Sequence, residues 1–316
     1  MSNLIRKVYP NGNEVIFVDN GEVGANVVAF FAHKDEVRFI VNYIDDSGFL
    51  RLSTVGGISP SVIYGRILQN DKIRGVVGAK PKHLLETADK EKYPKHIWLD
   101  IGAENKDEAA KYAPLGSIFY FDKLFQKVGN KTGGKLLAKA IDDRIGCEII
   151  AELVEKDMPY SFWAVFTNNE EIGCIGGKMA LDNISALAEK HGLPNPNIAV
   201  VIESTTAADI PDVTGAERVC ELGKGAVVSY MDRGTLYDKK LYDQIKNIAH
   251  QNNIAVQTKT LIAGGNDASQ IHKSRGGIRT AAVSIPTRYL HSPASVADMR
   301  DIDSVSALAE KLVSLV

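Results

Sequence analysis

Imidazoles and carboxylates recur at one kind of place in this sequence. His33 ends the apolar run NVVAFFAH (26–33), and Glu170 and Glu171 follow FWAVFT (162–167) after two asparagines. Glu203 ends IAVVIE (198–203), and His291 comes shortly after AAVSIP (281–286). If these runs are parallel strands, their carboxyl ends share one edge, which is where open α/β sheets bind ligands. Asp142-Asp143 opens a helix-period segment, where an aspartate either caps the helix or holds a cation. Taken singly, each of these groups has a bland reading. A lone histidine at a strand end is more often structural, and paired glutamates are usually solvated or capping. Together they form a mixed nitrogen and oxygen set that suits zinc, cobalt or manganese better than calcium or a thiolate site. An aspartate shared by two ions about 3.5–4 Å apart would build a two-metal hydrolytic centre. A carboxylate outside the ligand set would then serve as general base. In His33-Lys34-Asp35 the aspartate projects to the same side of an extended chain. It could therefore accept the second ring proton of His33. Adjacent Glu170 and Glu171 diverge, so one can ligate while the other faces substrate.

Such groups need rigid elements to position them. Seven short runs rich in β-branched and aromatic residues read as strands: the four above, with VIFVDN (15–20), FIVNYI (39–44) and AVVSYM (226–231). Between the later runs lie helix-period stretches. Ile145, Ile149 and Leu153 share a face in the first, and Met179, Ile184 and Leu187 in the second. Leu241, Ile245 and Ile248 form the third stripe, and Val305, Leu308 and Leu312 the last. This alternation over 140–316 predicts an α/β layer with parallel strands. Residues 45–128 read differently, with many Gly, Pro and Lys, short strands HIWLD (96–100) and SIFYF (117–121), and little helical period. They are expected to form a small β-rich insertion, leaving 1–44 and 129–316 as the main domain. The Lys-rich stretch from Lys80 to Lys95 reads as a solvated face.

Composition narrows the function classes. Charged residues are 24% and hydrophobic ones 45%, which excludes a disordered chain or a fibre. A net charge of −2 argues against a general nucleic-acid binder. No apolar run approaches the roughly 18 residues of a membrane span, and the first residues show no signal-peptide h-region. Three widely spaced cysteines, Cys147, Cys174 and Cys220, fit a reducing compartment, so a cytoplasmic location is expected.

Ordered motifs along the chain carry a resemblance. AHKDEV (32–37), VGGI (55–58), LDIGA (99–103), KAIDDRIGC (139–147), FTNNEEIGCIGG (166–177), VIESTTAAD (201–209), GGNDA (264–268) and IPTRYLHS (285–292) are similar to those of the M42 metallo-aminopeptidases, which include the TET aminopeptidases. The resemblance implies a zinc-peptidase-like α/β/α sandwich with an inserted PDZ-like domain that supports dimerisation. It implies that two divalent ions, Zn²⁺ or Co²⁺, are bound per subunit. His33, Asp142 and Glu203 would hold one, and Asp142, Glu171 and His291 the other. Glu170 would be the general base and Asp35 would orient His33. The implied partners are a peptide with a free N-terminus and further copies of the chain, in a dimer-based homo-oligomer compatible with a dodecamer. Glu203 stands where many members have Asp, Arg38 where Gly is usual, and Asn266 where Thr is usual. Members also carry more helix before GNEVIFVDNG, so a supporting helix is expected to be missing from this sequence.

Rival readings are weaker. GNKTGGK (129–135) fits a phosphate-binding loop, but Leu136 follows where a Ser or Thr should reach Mg²⁺. Paired carboxylates could hydrolyse glycosides. An aromatic content of 7% gives a sugar cleft little support, and the histidines would have no task. A non-catalytic scaffold would tolerate loss at ligand positions, and all five are filled.

Overall fold

Alternation of apolar residues in the central strands sends successive side chains to opposite faces, and both faces are buried. In the computed structural model, which describes residues 3–84, 97–129 and 134–315, this produces a sheet covered on two sides. Val15 and Phe17 pack on one face, and Ile16 and Val18 on the other. The large sheet contains β1 (Asn3–Val8), β2 (Glu14–Asp19), β3 (Val28–His33), β10 (Phe125–Val128), β11 (Lys135–Ala138), β12 (Phe162–Thr167), β13 (Ile198–Thr206), β14 (Ala226–Val228), β15 (Val256–Thr258), β16 (Arg279–Arg288) and β17 (Ser295–Asp298). Its order is β1-β2-β12-β3-β13-β16-β17-β11-β10, with β14 and β15 branching from β16. The centre, β12-β3-β13-β16, is parallel. Both flanks are antiparallel, so the sheet is mixed.

Helices α2 (Ile141–Glu155), α4 (Lys239–Gln251) and α6 (Met299–Leu312) cover one face, burying Leu153, Leu241 and Leu308. Helices α3 (Ile175–His191) and α5 (Ala268–Ile271) cover the other through Ile184, Leu187 and Ile271. The result is the expected α/β/α sandwich.

Strands β4 (Arg38–Ile44), β5 (Leu50–Val55), β6 (Ile67–Gln69), β7 (Arg74–Ala79), β8 (Ile97–Asp100) and β9 (Ile118–Phe121) close a separate barrel in the order β4-β5-β8-β7-β6-β9. Phe39, Leu50, Leu68, Leu99 and Phe119 fill it. Helix α1 (Lys106–Tyr112) packs beside it, capped by the Asn105 side chain, which accepts from Glu108 N. Strand pairing places the junctions differently from composition. β4 lies before residue 45 but pairs with β5 and β9, while β10 lies before residue 129 but pairs with β11 in the large sheet. Most of the Lys-rich stretch and residues 130–133 of GNKTGGK lie outside the described residues.

Candidate metal centre

The parallel register sets the stage. His33 and Thr167 are paired at the ends of β3 and β12, and Glu203 lies beside Ser284 across β13 and β16. The loop after β12 brings Glu170 and Glu171 over that edge, and the turn after β16 brings His291. Asp142 and Asp143 enter from the start of α2, where both have non-helical backbone angles and the peptide between them is cis.

One carboxylate organises the rest. Asp142 Oδ1 lies 3.0 Å from His33 Nε2, and Asp142 Oδ2 lies 3.4 Å from His291 Nε2. Glu203 Oε1 is 3.5 Å from His33 Nε2, and Glu171 Oε2 is 3.4 Å from His291 Nε2. Each oxygen of Asp142 thus faces its own imidazole, and each imidazole also meets its own glutamate. The other ring nitrogens point at backbone carbonyls: His33 Nδ1 at Asp35 O (3.0 Å) and His291 Nδ1 at Gly57 O (2.8 Å). A carbonyl only accepts, so each Nδ1 carries a proton and each Nε2 is directed at carboxylates. Such a contact needs positive charge between Nε2 and the carboxylate oxygens, supplied by a ring proton or by a metal ion in its place.

Two observations test whether ions fit. Glu171 Oε1 is a buried carboxylate oxygen with no hydrogen-bond partner. Five carboxylates (Asp142, Asp143, Glu170, Glu171 and Glu203) crowd two imidazoles, leaving an anionic excess even with both rings charged. The titration shifts express this shortage of positive charge. Burial, with Asp142 adding, pushes Glu171 up to about 7, and burial with Asp143 and Asp142 pushes Glu203 well up. Hydrogen bonding to Asp142 raises His291 to about 9. Burial opposes charge on His33, yet Glu203 and Asp142 outweigh it and raise that ring as well. Burial likewise opposes charge on Asp142, but the two imidazoles outweigh it and hold Asp142 below the usual carboxylate range. Ligand atoms of His33, Asp142 and Glu171, and of His33, Asp143 and Glu203, lie within 4.8 Å of one another. The donor set therefore fits hard or borderline divalent ions.

The remaining groups support this arrangement. Asp35 is buried, but its carboxylate is 3.6 Å from His33 Nδ1, beyond hydrogen-bond reach. Its oxygens instead accept from the amides of Glu170 (3.0 Å) and Glu171 (3.3 Å). Its carbonyl thus orients the ring, and its carboxylate fixes the glutamate loop. Asp143 was not singled out from its neighbour in the sequence. It accepts from His33 N and Gly146 N, both at 3.2 Å, so it joins β3 to α2. The signals were the Asp-Asp pair and a glycine three residues on. Gly56 has φ +92°, and a Cβ there would lie 2.8 Å from Val37 Cγ1 and 3.2 Å from Glu171 Oε2. Only glycine lets that turn pass so near the site.

Glu170 is near the cluster but is not among its grouped ligand atoms. Its Oε1 is 3.4 Å from Cys174 Sγ, and burial pushes it up to about 8, with Asp267 and Asp142 adding. It lines a cavity of about 310 Å³ together with Asp142, Glu171, Glu203 and His291. Ser229, Asp232, Lys259 and Asn266 form another part of the wall. A molecule in this cavity would meet Glu170 and the cluster at once.

With the geometry in place, comparisons with known proteins agree on one relationship. A model of the M42 glutamyl aminopeptidase family matches residues 12–308. A protein of Acetivibrio thermocellus is 35% identical over 308 residues, covering 96% of this chain and 86% of its own length. The lysyl aminopeptidase of Pyrococcus furiosus is 30% identical over 310 residues, covering 91% of this chain and 84% of its own. Among solved structures, a TET aminopeptidase from a marine-sediment Thaumarchaeota archaeon superposes with a TM-score of 0.88 at 25% identity, over 99% of this chain and 87% of that one.

Proposed function

The chain belongs to the M42 glutamyl aminopeptidase family and is a hydrolase of the aminopeptidase class; from that premise we propose a two-metal mechanism with Glu170 as its general base. His33, Asp142 and Glu203 would hold one divalent ion, and Asp142, Glu171 and His291 the second. The observation that carries the reading is the pair of Nε2 atoms facing opposite oxygens of Asp142. When bound, such ions would lower the pKa of a water and polarise a carbonyl.

The chain's own residues do the remaining work. The peptide enters the 310 Å³ cavity with its free amine and scissile carbonyl toward Asp142. Glu170 takes a proton from the attacking water and returns it to the leaving amine. Its burial favours holding that proton between the two transfers. Asp35 keeps Glu170 and Glu171 in place through their amides. Cys174 lies against Glu170 Oε1 and limits its rotation.

The barrel is proposed as the surface through which copies associate. A similar protein supports assembly of this kind. The Pyrococcus horikoshii TET1 peptidase, 29% identical over 99% of this chain and 90% of its own with a TM-score of 0.80, is described as assembling into a tetrahedron or an octahedral shell.

Elemental analysis together with a panel of aminoacyl chromogenic amides tests the catalytic reading. Up to two transition-metal ions per chain are expected, and chelation should abolish hydrolysis until metal is restored. Full activity in thoroughly metal-free protein would overturn it.

A further inference from the structure

We propose that a second cavity, of about 720 Å³ between the barrel and the catalytic layer, binds a phosphoryl dianion, either free or as a monoester. It shares no residue with the proposed metal ligands. Its walls carry five cations: Lys34, Arg38, Lys123, Lys139 and Arg144. Three carboxylates face them, Asp35, Glu36 and Asp71, so the cavity has two positive charges in excess. A phosphoryl group carries about −1.5 to −2 at neutral pH, which matches that excess.

Two of the carboxylates are already committed. Glu36 is paired with Lys139 at 2.8 Å. Asp35 accepts from the Glu170 and Glu171 amides, with Arg38 Nη1 4.0 Å from its Oδ2. Arg38 also donates to Asn169 Oδ1 at 3.3 Å. Lys34, Lys123 and Arg144 make no ion pair and no side-chain hydrogen bond among the described residues. Cations lining a concave surface raise the local concentration of anions there. Lysine and arginine supply the charge-assisted donors that phosphoryl oxygens accept.

The cavity is separate from the catalytic one. Between them lies a cleft of about 10 Å³, lined by Glu36, Lys139 and Ala140 together with Asp142, Glu171 and His291. That space holds about one water, so a peptide does not extend through it. Phe125, 72% exposed, stands at the mouth beside Leu124. An apolar or aromatic body attached to the phosphoryl group would cover it.

Calorimetric titration of the metal-loaded enzyme at low ionic strength tests the site, with inorganic phosphate and phenyl phosphate as probes. Phosphate also meets metal centres, so wild type is compared with Lys123→Ala/Arg144→Ala. Both side chains are exposed and lie outside the ligand set, so folding and peptidase turnover should be retained. We expect affinity for both probes to fall at least roughly tenfold in the variant, and the difference to shrink as salt screens the charges. Tighter binding of phenyl phosphate than of phosphate assigns a monoester, and equal binding assigns the free ion. Isotherms that coincide for wild type and variant, or no binding of either probe, would overturn the proposal.

Discussion

Glu170 and Glu171 are neighbours with opposite surroundings. Both line the cavity, but Glu171 faces His291 and keeps one oxygen buried without a partner, whereas Glu170 touches Cys174. Glu170→Gln keeps the volume and removes the basic oxygen. Turnover should fall by about 10²–10⁴-fold, the scale of general-base catalysis, with metal content nearly unchanged. Glu171→Gln swaps a proposed anionic ligand for a neutral amide, so it should lose metal and be partly rescued by excess. Metal analysis beside kinetics separates the two, and the reverse pattern would exchange the assignments. The clustering was legible in part because His33, Glu170, Glu171 and His291 lie at or just beyond the ends of parallel strands, whereas Glu203 lies inside β13 and Asp142 follows the antiparallel β11. Asp143 was less legible. Its role depends on the backbone turn that points Asp142 into the site and Asp143 toward His33 N and Gly146 N. The task of the Asp35 carboxylate was hidden for a similar reason. Alternation along a strand shows which side it faces, not that two amides from a loop 135 and 136 residues away would reach it first.

At the scale of elements, the long helices were readable because one-sided burial imposes a period on them, and the central strands because burial on both faces makes them continuous apolar runs. β3 and β12 are buried at every position, and α4 buries Leu241, Ile245 and Ala249 from one stripe. The outermost strands were not readable. β10 is exposed throughout, and β1 nearly so, leaving no apolar pattern. Their antiparallel direction comes from which neighbour is available, and composition does not encode that. One joint in this region is open to test. Asp298 caps α6 by accepting from Arg300 N, and it also binds Lys135 Nζ of β11 at 3.1 Å. Asp298→Ala should therefore cost about 1–2 kcal/mol, near the upper range for a lost cap. Hydrogen bonding to Arg300 holds the folded carboxyl below its ordinary range. Its contribution is thus complete above the unfolded pKa of about 3.9 and fades as pH falls through the lower folded value. Urea unfolding at pH 7 should separate variant from wild type, and the gap should narrow toward pH 2. An unchanged gap would show that the charge is not what joins β11 to α6.

For the whole molecule, the barrel raises a question that its own core does not answer. Its interior is filled by Phe39, Leu50, Leu99 and Phe119, yet apolar side chains also stand outside it. Ile67 of β6 and Val76 of β7 are directly paired across the strands, and they are 44% and 49% exposed. Tyr43 and Leu115 add further exposed apolar surface to the same unit. Single exposed apolar residues are ordinary, but paired ones on a small barrel give a second copy something to cover. If the barrel joins copies, light scattering of the wild type should give a mass at least twice 34.4 kDa at micromolar concentration. Ile67→Glu/Val76→Glu places like charges opposite each other on that outer face without entering the core. It should shift the mass toward 34.4 kDa while leaving metal content intact, because no proposed ligand lies in the barrel. The double change also adds direct cross-strand repulsion, which destabilises the β6–β7 pair itself. Ile67→Gln/Val76→Gln is therefore the control: it removes the apolar cover without the charge and should also weaken assembly. A wild type that scatters as a monomer would remove the association proposal. Variants that keep the full oligomer would move the contact to another face.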